Sequence, residues 1–284
     1  MNDLGNHKRI GISVLISVYA KEHPEYLSAS LESVFSQSWR AEEVLLIKDG
    51  PLTPELDSVI MSFTDKYPEL RVVAFKKNRG LGYCLNDGLD MCSYDIVARM
   101  DSDDICKSNR FEREYTFLST HPDYALVGSW IDEFTNVPGD SVSVREVPET
   151  PDEILRYAHH RCPVNHPTVM FRKAAVMDVG GYLTAYFPED YFLWIRMLMA
   201  GYKFYNLQES LLWFRYSINT INRRGGWKYA KDEVVVQHNI YKMGFITFPE
   251  FLVNVAIRFT TRIVPARVRV AIYKKIRTRK KNNL

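Results

Sequence analysis

No stretch of the chain reaches about eighteen unbroken apolar residues, the length a bilayer-spanning helix requires, so the chain is expected not to cross a membrane. Its first residues, MNDLGNHKRIG, lack the charged-then-apolar order of a secretory signal. Cysteine is sparse: Cys84, Cys92, Cys106 and Cys162 fall at no metal-ligand spacing, and reduced thiols in a cytosolic compartment are expected. Excess charge is also small, net +3 over 284 residues, with both signs mixed through the first two thirds. That excludes the strong basic footprint of a nucleic-acid partner. The length suffices for a sizeable α/β core with an appendage.

What is present is concentrated at Tyr94 to Ile105, YDIVARMDSDDI. Ile96, Val97, Ala98 and Met100 make an apolar run of strand length that turns polar abruptly at Asp101, Ser102, Asp103 and Asp104. The rim of an open α/β sheet, where such a strand ends, is the usual ligand position. Adjacent carboxylates repel unless a hard divalent cation with oxygen ligands reconciles them, and Mn²⁺ or Mg²⁺ fits. The same pattern also fits an Asp-rich turn capping the next helix.

Around this stretch the chain alternates. Ile10 to Val18 reads as a central parallel strand, followed by a helix over Tyr26 to Gln37. Val44 to Ile47 and Arg71 to Phe75 read as strands; Pro54 to Tyr67 and Leu81 to Cys92 read as helices. Four such alternations before the Asp cluster predict a doubly wound sheet with ligands at the strands' C-terminal ends. Beyond the cluster the pattern predicts a helix over Arg110 to His121, a strand over Ala125 to Ile131 and a polar loop around Pro138-Gly139-Asp140. A capped helix start at Thr150-Pro151-Asp152-Glu153 follows, then strands over Pro167 to Phe171 and Leu211 to Phe214. Between those two strands, Glu189-Asp190 opens a helix that is apolar nearly all round, which must be buried. These carboxylates read either as an N-terminal cap favoured by the helix dipole or as a general base held at a cleft wall.

Strand one, Lys48-Asp49-Gly50, Asn78-Arg79-Gly80, Asp101-Ser102-Asp103-Asp104 and Glu189-Asp190, in that order, resemble the family 2 glycosyltransferases of the GT-A fold, over about residues 10 to 215. The nearest type is the bacterial enzymes that assemble O-antigen or exopolysaccharide. The resemblance implies a Rossmann-like mixed sheet flanked by helices, with residues 1–244 catalytic and 245–284 a basic amphipathic helical appendage. It implies a UDP-sugar donor pocket lined by Val18, Tyr19 and Glu22, with Asp49 accepting a hydrogen bond from the uracil ring. Asp103 would be the direct ligand of Mn²⁺ or Mg²⁺, Asp101 nearer the ribose or the metal's waters, Asp190 the catalytic base with Glu189 as its alternate, and His166 on the acceptor side. A structural role for His166 fits equally. Where the family often carries arginine then histidine near the diphosphate, Arg215 is followed here by Tyr216-Ser217; Arg215, Arg223 or Arg224 would supply the charge. The implied reaction is inverting transfer of a hexose (galactose, glucose or N-acetylglucosamine) to an undecaprenyl-diphosphate-linked saccharide.

Beyond Phe245, Phe248, Phe251, Leu252, Val255, Ile257 and Phe259 alternate with ten arginines and lysines from Arg258 to Lys281, opposed only by Glu250. This describes an interfacial helix on anionic lipid, interrupted at Pro265, and with the family's lipid-linked acceptors it implies a peripheral protein on the cytoplasmic face of the inner membrane. A helix packed on the catalytic domain with a solvated basic face, or a nucleic-acid contact, fits the same composition. A sugar-nucleotide pyrophosphorylase needs a glycine-rich turn after strand one, which Tyr19-Ala20-Lys21-Glu22 lacks. A glycoside hydrolase and a non-catalytic membrane adaptor are the other readings, separated from transfer by dependence on a UDP-sugar.

Overall fold

The structure is a computed structural model and describes residues 8–184, 188–216 and 226–263. The apolar run of the first strand forms β1 (Lys8–Val18), flanked in parallel by β2 (Trp39–Lys48) and β4 (Ile96–Asp101); β3 (Leu70–Ala74) joins β2 in parallel. The crossovers are α1 (Pro24–Phe35), α2 (Pro54–Lys66) and α3 (Leu81–Met91). Alternation along β1 sorts them into layers. Ile12, Val14, Ile16 and Val18 pack with α1, α2 and α4 (Arg110–Thr120), whereas Leu15 packs with α3, α5 (Pro151–Ala158) and α7 (Glu189–Met199). Gly88 of α3 lies against Leu15, where a Cβ would come within 2.4 Å of its methyl.

The expected doubly wound half ends at β4, and the sheet then becomes mixed. β8 (Met170–Arg172) runs antiparallel between β4 and β6 (Tyr124–Phe134), and β9 (Lys203–Arg215) runs parallel to β6. The order is β3-β2-β1-β4-β8-β6-β9-β5, with β5 (Ile105–Cys106) antiparallel to β9. α6 (Lys173–Asp178) follows β8.

Several boundaries differ from the sequence reading. β2 begins at Trp39 rather than Val44, because its charges are paired within the protein: Arg40 with Glu69, and Glu43 with the Ser13 hydroxyl at 2.5 Å and Ser93. The expected strand from Pro167 starts at Met170. His166–Thr168 is a 3-10 turn, in which Pro167 has no N–H to give a ladder and Thr168 donates its backbone N–H to Asn165. The expected polar loop after Ile131 is partly strand, since β6 runs on to Phe134 and pairs with β7 (Ser141–Arg145). The Thr150 capping box forms as expected, and α7 is buried at Tyr191, Phe192, Leu193, Trp194, Ile195 and Met197.

The segment from Trp227 forms two helices, α8 (Trp227–Lys242) and α9 (Phe248–Ile263), of which only the second is foreseen. Val236, Ile240, Phe245 and Ile246 close over Ala158, Tyr191, Phe192 and Ile195, so the hairpin is seated on α7. The predicted break at Pro265 and the cations Arg223 and Arg224 lie outside the described residues.

Candidate active site

The sheet gathers the acidic residues by register. Ser17 of β1 lies opposite Asp101 of β4, and Val18 opposite Lys48 of β2, so the ends of three adjacent parallel strands present Tyr19, Asp49 and Asp101 along one rim. Tyr19 is exposed and Val18 buried beneath it. Asp49 is buried, and its two oxygens accept backbone N–H groups, Arg79 at 2.7 Å and Gly80 at 2.9 Å. Gly50 makes the close turn behind it: φ is +88°, and a Cβ there would meet the Asn78 backbone nitrogen at 2.6 Å. The Asp49 carboxylate therefore holds the loop 78–80 against the strand ends and keeps further lone pairs for another donor.

Past the rim of β4, carboxylate oxygens of Asp101, Asp103 and Asp104 lie within 4.8 Å of one another. Burial, reinforced by the charges of Asp101 and Glu22, pushes the Asp103 carboxyl up to about 7. Asp104 is wholly buried, and burial, then the charges of Asp103 and Asp101, hold its carboxyl well above the ordinary carboxylate range. Its Oδ1 accepts the Arg215 backbone N–H at 2.9 Å, while its buried Oδ2 has no partner. An orphaned carboxylate oxygen beside two more carboxylates is a donor set for a hard divalent cation, so the residues present fit Mn²⁺ or Mg²⁺. Glu22 closes one side, accepting the Ser102 hydroxyl at 2.7 Å.

Opposite stands the start of α7. Asp190 Oδ1 accepts the Tyr191 N–H at 2.8 Å, and the Cys162 thiol lies 3.9 Å from Oδ2. Burial raises the carboxyls of both Glu189 and Asp190; for Asp190 the Tyr191 N–H and the Arg99 charge oppose the rise. His166 packs on the same helix, edge-on to Trp194, with Nε2 3.0 Å from the Tyr182 hydroxyl. Burial, then the Arg99 charge, pushes its pKa well down, so the ring is neutral.

One residue links the two acidic groups, and the sequence reading passed over it. Arg99, 2% exposed, forks onto Asp101, Nη1 and Nη2 each 2.5 Å from a carboxylate oxygen. Its charge acts on Asp103, Asp104, Glu189, Asp190, His166 and Tyr182. The signal was present as a cation inside an otherwise apolar strand, IVARM, immediately before the acidic cluster. Arg215 sits at the end of β9, donating from Nε to the Asp103 carbonyl at 3.0 Å with its guanidinium 3.8 Å from the Tyr26 ring. It thereby holds the Asp103 backbone as well as contributing charge.

The glycosyl transferase family 2 model matches residues 13–180, spanning the rim, Asp49 and the acidic cluster. The chain belongs to glycosyl transferase family 2. This family 2 glycosyltransferase is 40% identical over 264 residues to the Escherichia coli UDP-Gal:alpha-D-GlcNAc-diphosphoundecaprenol beta-1,3-galactosyltransferase, covering 93% of this chain and 95% of that one. It is 37% identical to the amylovoran biosynthesis glycosyltransferase AmsE of Erwinia amylovora, covering 93% and 98%. Among solved structures, S. aureus TarS 1-349 in complex with UDP-GlcNAc superposes with a TM-score of 0.62 at 17% identity, over 81% of this chain and 66% of that one, which shows the shared GT-A fold. Family membership sets aside the pyrophosphorylase, glycoside hydrolase and adaptor readings.

Proposed function

We propose that this family 2 glycosyltransferase moves galactose from UDP-galactose, with inversion, onto a saccharide carried by undecaprenyl diphosphate in bacterial surface-polysaccharide assembly. The near full-length 40% identity to the Escherichia coli galactosyltransferase supports the donor and acceptor class. The observation that carries the chemistry is the pairing of two carboxylate groups of different character across Arg99: three crowded oxygens at 101, 103 and 104, and Asp190 at the mouth of a rigid buried helix.

In this reading Tyr19, Val18 and Glu22 border the nucleotide and Asp49 accepts the uracil N–H. Asp103 and Asp104 would hold Mn²⁺ or Mg²⁺, with Asp101 turned toward its waters by Arg99; when bound, the cation neutralises the charge of the departing diphosphate. Arg215 adds positive charge on the same side. Asp190 takes the proton of the acceptor hydroxyl as that oxygen bonds to the anomeric carbon, and the bond from that carbon to the phosphate oxygen breaks with its electron pair leaving on UDP. The raised Asp190 carboxyl makes it a stronger base than a free aspartate, and Glu189 is its alternate. Neutral His166, fixed by Tyr182, shapes the acceptor side. Residues 1–244 form the catalytic unit, and 245–284 hold the enzyme on the cytoplasmic face of the inner membrane.

The test is transfer by the purified full chain from UDP-galactose, UDP-glucose or UDP-N-acetylglucosamine, with Mn²⁺, to a synthetic short-chain lipid diphosphate bearing N-acetylglucosamine. A β-linked galactosyl product is expected. UDP release without a new glycosidic bond, or transfer from none of the three donors, overturns the reading.

A further inference from the structure

In α9 the usual arrangement of an amphipathic helix on a soluble protein is reversed. Glu250, Asn254 and Arg258 face the protein. Glu250 pairs with His159 at 2.8 Å; Asn254, 3% exposed, donates to the His159 carbonyl at 2.7 Å and to Gln237 Oε1 at 3.0 Å; and Arg258 donates to Glu233 at 2.7 Å and to the His160 carbonyl at 2.8 Å. Phe251 packs inward on the cluster over α7, but a set of other apolar side chains faces outward. Phe248, Leu252, Val253 and Ile257 are each more than half exposed, and Ala256 is exposed beside them. These positions recur at i, i+4, i+5, i+8 and i+9, a single stripe, and no described side chain in it carries charge. Tyr241 of α8 lies tilted against Phe248, and Trp227, 64% exposed, meets Phe259 edge-on, so rings extend the apolar surface at both ends.

The geometry points to this stripe as the surface that enters the headgroup layer of an anionic bilayer. Solvated surface helices present polar side chains outward, and a contiguous apolar face left outside marks an interaction site. Charge complementarity selects the partner. The one acidic group on α9, Glu250, is turned inward onto His159, and after Phe251 the sequence carries ten arginines and lysines and no acid. Among the described residues no helix is long and apolar enough to cross the bilayer, so the contact is interfacial.

The inward seam gives the contact a consequence for the reaction. It grips Ala158 to Cys162, whose Ala158 carbonyl accepts the Tyr191 hydroxyl at 2.5 Å and whose Cys162 lies against Asp190. The lipid-facing helix is thus tied through one bridge to the carboxylate that meets the acceptor. This consequence rests on the proposed transfer reaction; the membrane contact itself does not.

The experiment compares the full chain with Leu252→Ser/Ile257→Ser in co-sedimentation with phosphatidylglycerol/phosphatidylcholine vesicles, together with Tm and mass in solution. Both side chains are already exposed, so Tm should stay unchanged while vesicle partition falls by about tenfold or more. Pure phosphatidylcholine should bind the full chain far less well. A partition unchanged within about twofold overturns the inference. So does a lowered Tm with partition intact, which assigns the cover to residues 264–284, and so does a dimer that the substitutions split, which assigns it to a second copy. Sedimentation needs no turnover, so a chain that binds vesicles yet transfers no sugar refutes the proposed transfer reaction alone.

Discussion

Replacing Arg99 should separate the positioning of Asp101 from the presence of a charge beside it. Arg99→Lys keeps the cation but replaces a fork that reaches both Asp101 oxygens at 2.5 Å with one that reaches a single oxygen. One lost charge-assisted bond is worth about 1.5–3 kcal/mol. The Asp101 side chain is 29% exposed and can recover water, so the lower half of that range applies to stability. If Asp101 must be held in one orientation for turnover, the same loss acts on the transition state, and kcat/KM should fall about ten- to a hundredfold. Arg99→Met removes the charge and leaves the part-exposed Asp101 carboxylate beside Asp103 and Asp104 without its guanidinium, so activity should fall further than in the lysine variant. Urea denaturation reads the stability and UDP release on a soluble acceptor reads the rate. A lysine variant with wild-type kcat/KM, or a methionine variant that is folded and as active as the lysine one, would refute the positioning role.

Asp190→Asn should abolish transfer and leave UDP-sugar affinity within about a few fold, because an amide keeps the shape but takes no proton at neutral pH; lost nucleotide binding would move Asp190 to the donor side and make Glu189 the base to test. The Asp103 carboxyl, raised to about 7, favours the metal-free fold at low pH, and that contribution is lost as pH rises from the ordinary carboxylate range through about 7. A bound divalent cation reverses the penalty, so the Tm increment from Mn²⁺ should grow as pH is raised through neutrality, and a pH-independent increment would contradict the site. Glu250, lowered to about 2 by the Thr247 N–H and then His159, stabilises α9 above its ordinary pKa of 4.5, and that is lost as pH falls from there toward about 2. Protection factors of the α9 amides, corrected for the intrinsic exchange rate at each pH, should fall over that window ahead of those of the core strands; uniform protection would show that the seam does not hold the helix. Gly88→Ala should cost about 1–3 kcal/mol by forcing Leu15 from its seat, measured as a lower urea midpoint with unchanged slope.

Local pattern was enough for the parallel half of the fold. The apolar runs of β1 and β4, the alternation with α1 to α3 and the Thr150 capping box are decided by short-range chemistry, and each forms as read. The acidic cluster was legible for the same reason: Asp101, Asp103 and Asp104 are neighbours in the chain, so their crowding needs no tertiary contact to be seen. Tertiary structure decided what depends on distant partners. The early start of β2 rests on Glu69 and Ser13, and the antiparallel insertion of β8 rests on strands far from it in sequence. The reach of Arg99 to both carboxylate groups appears only when β4 meets α7. So does the inversion of α9: its composition reads as amphipathic either way, and only the partners supplied by His159, His160, Gln237 and Glu233 turn its polar side inward and leave its apolar side facing out.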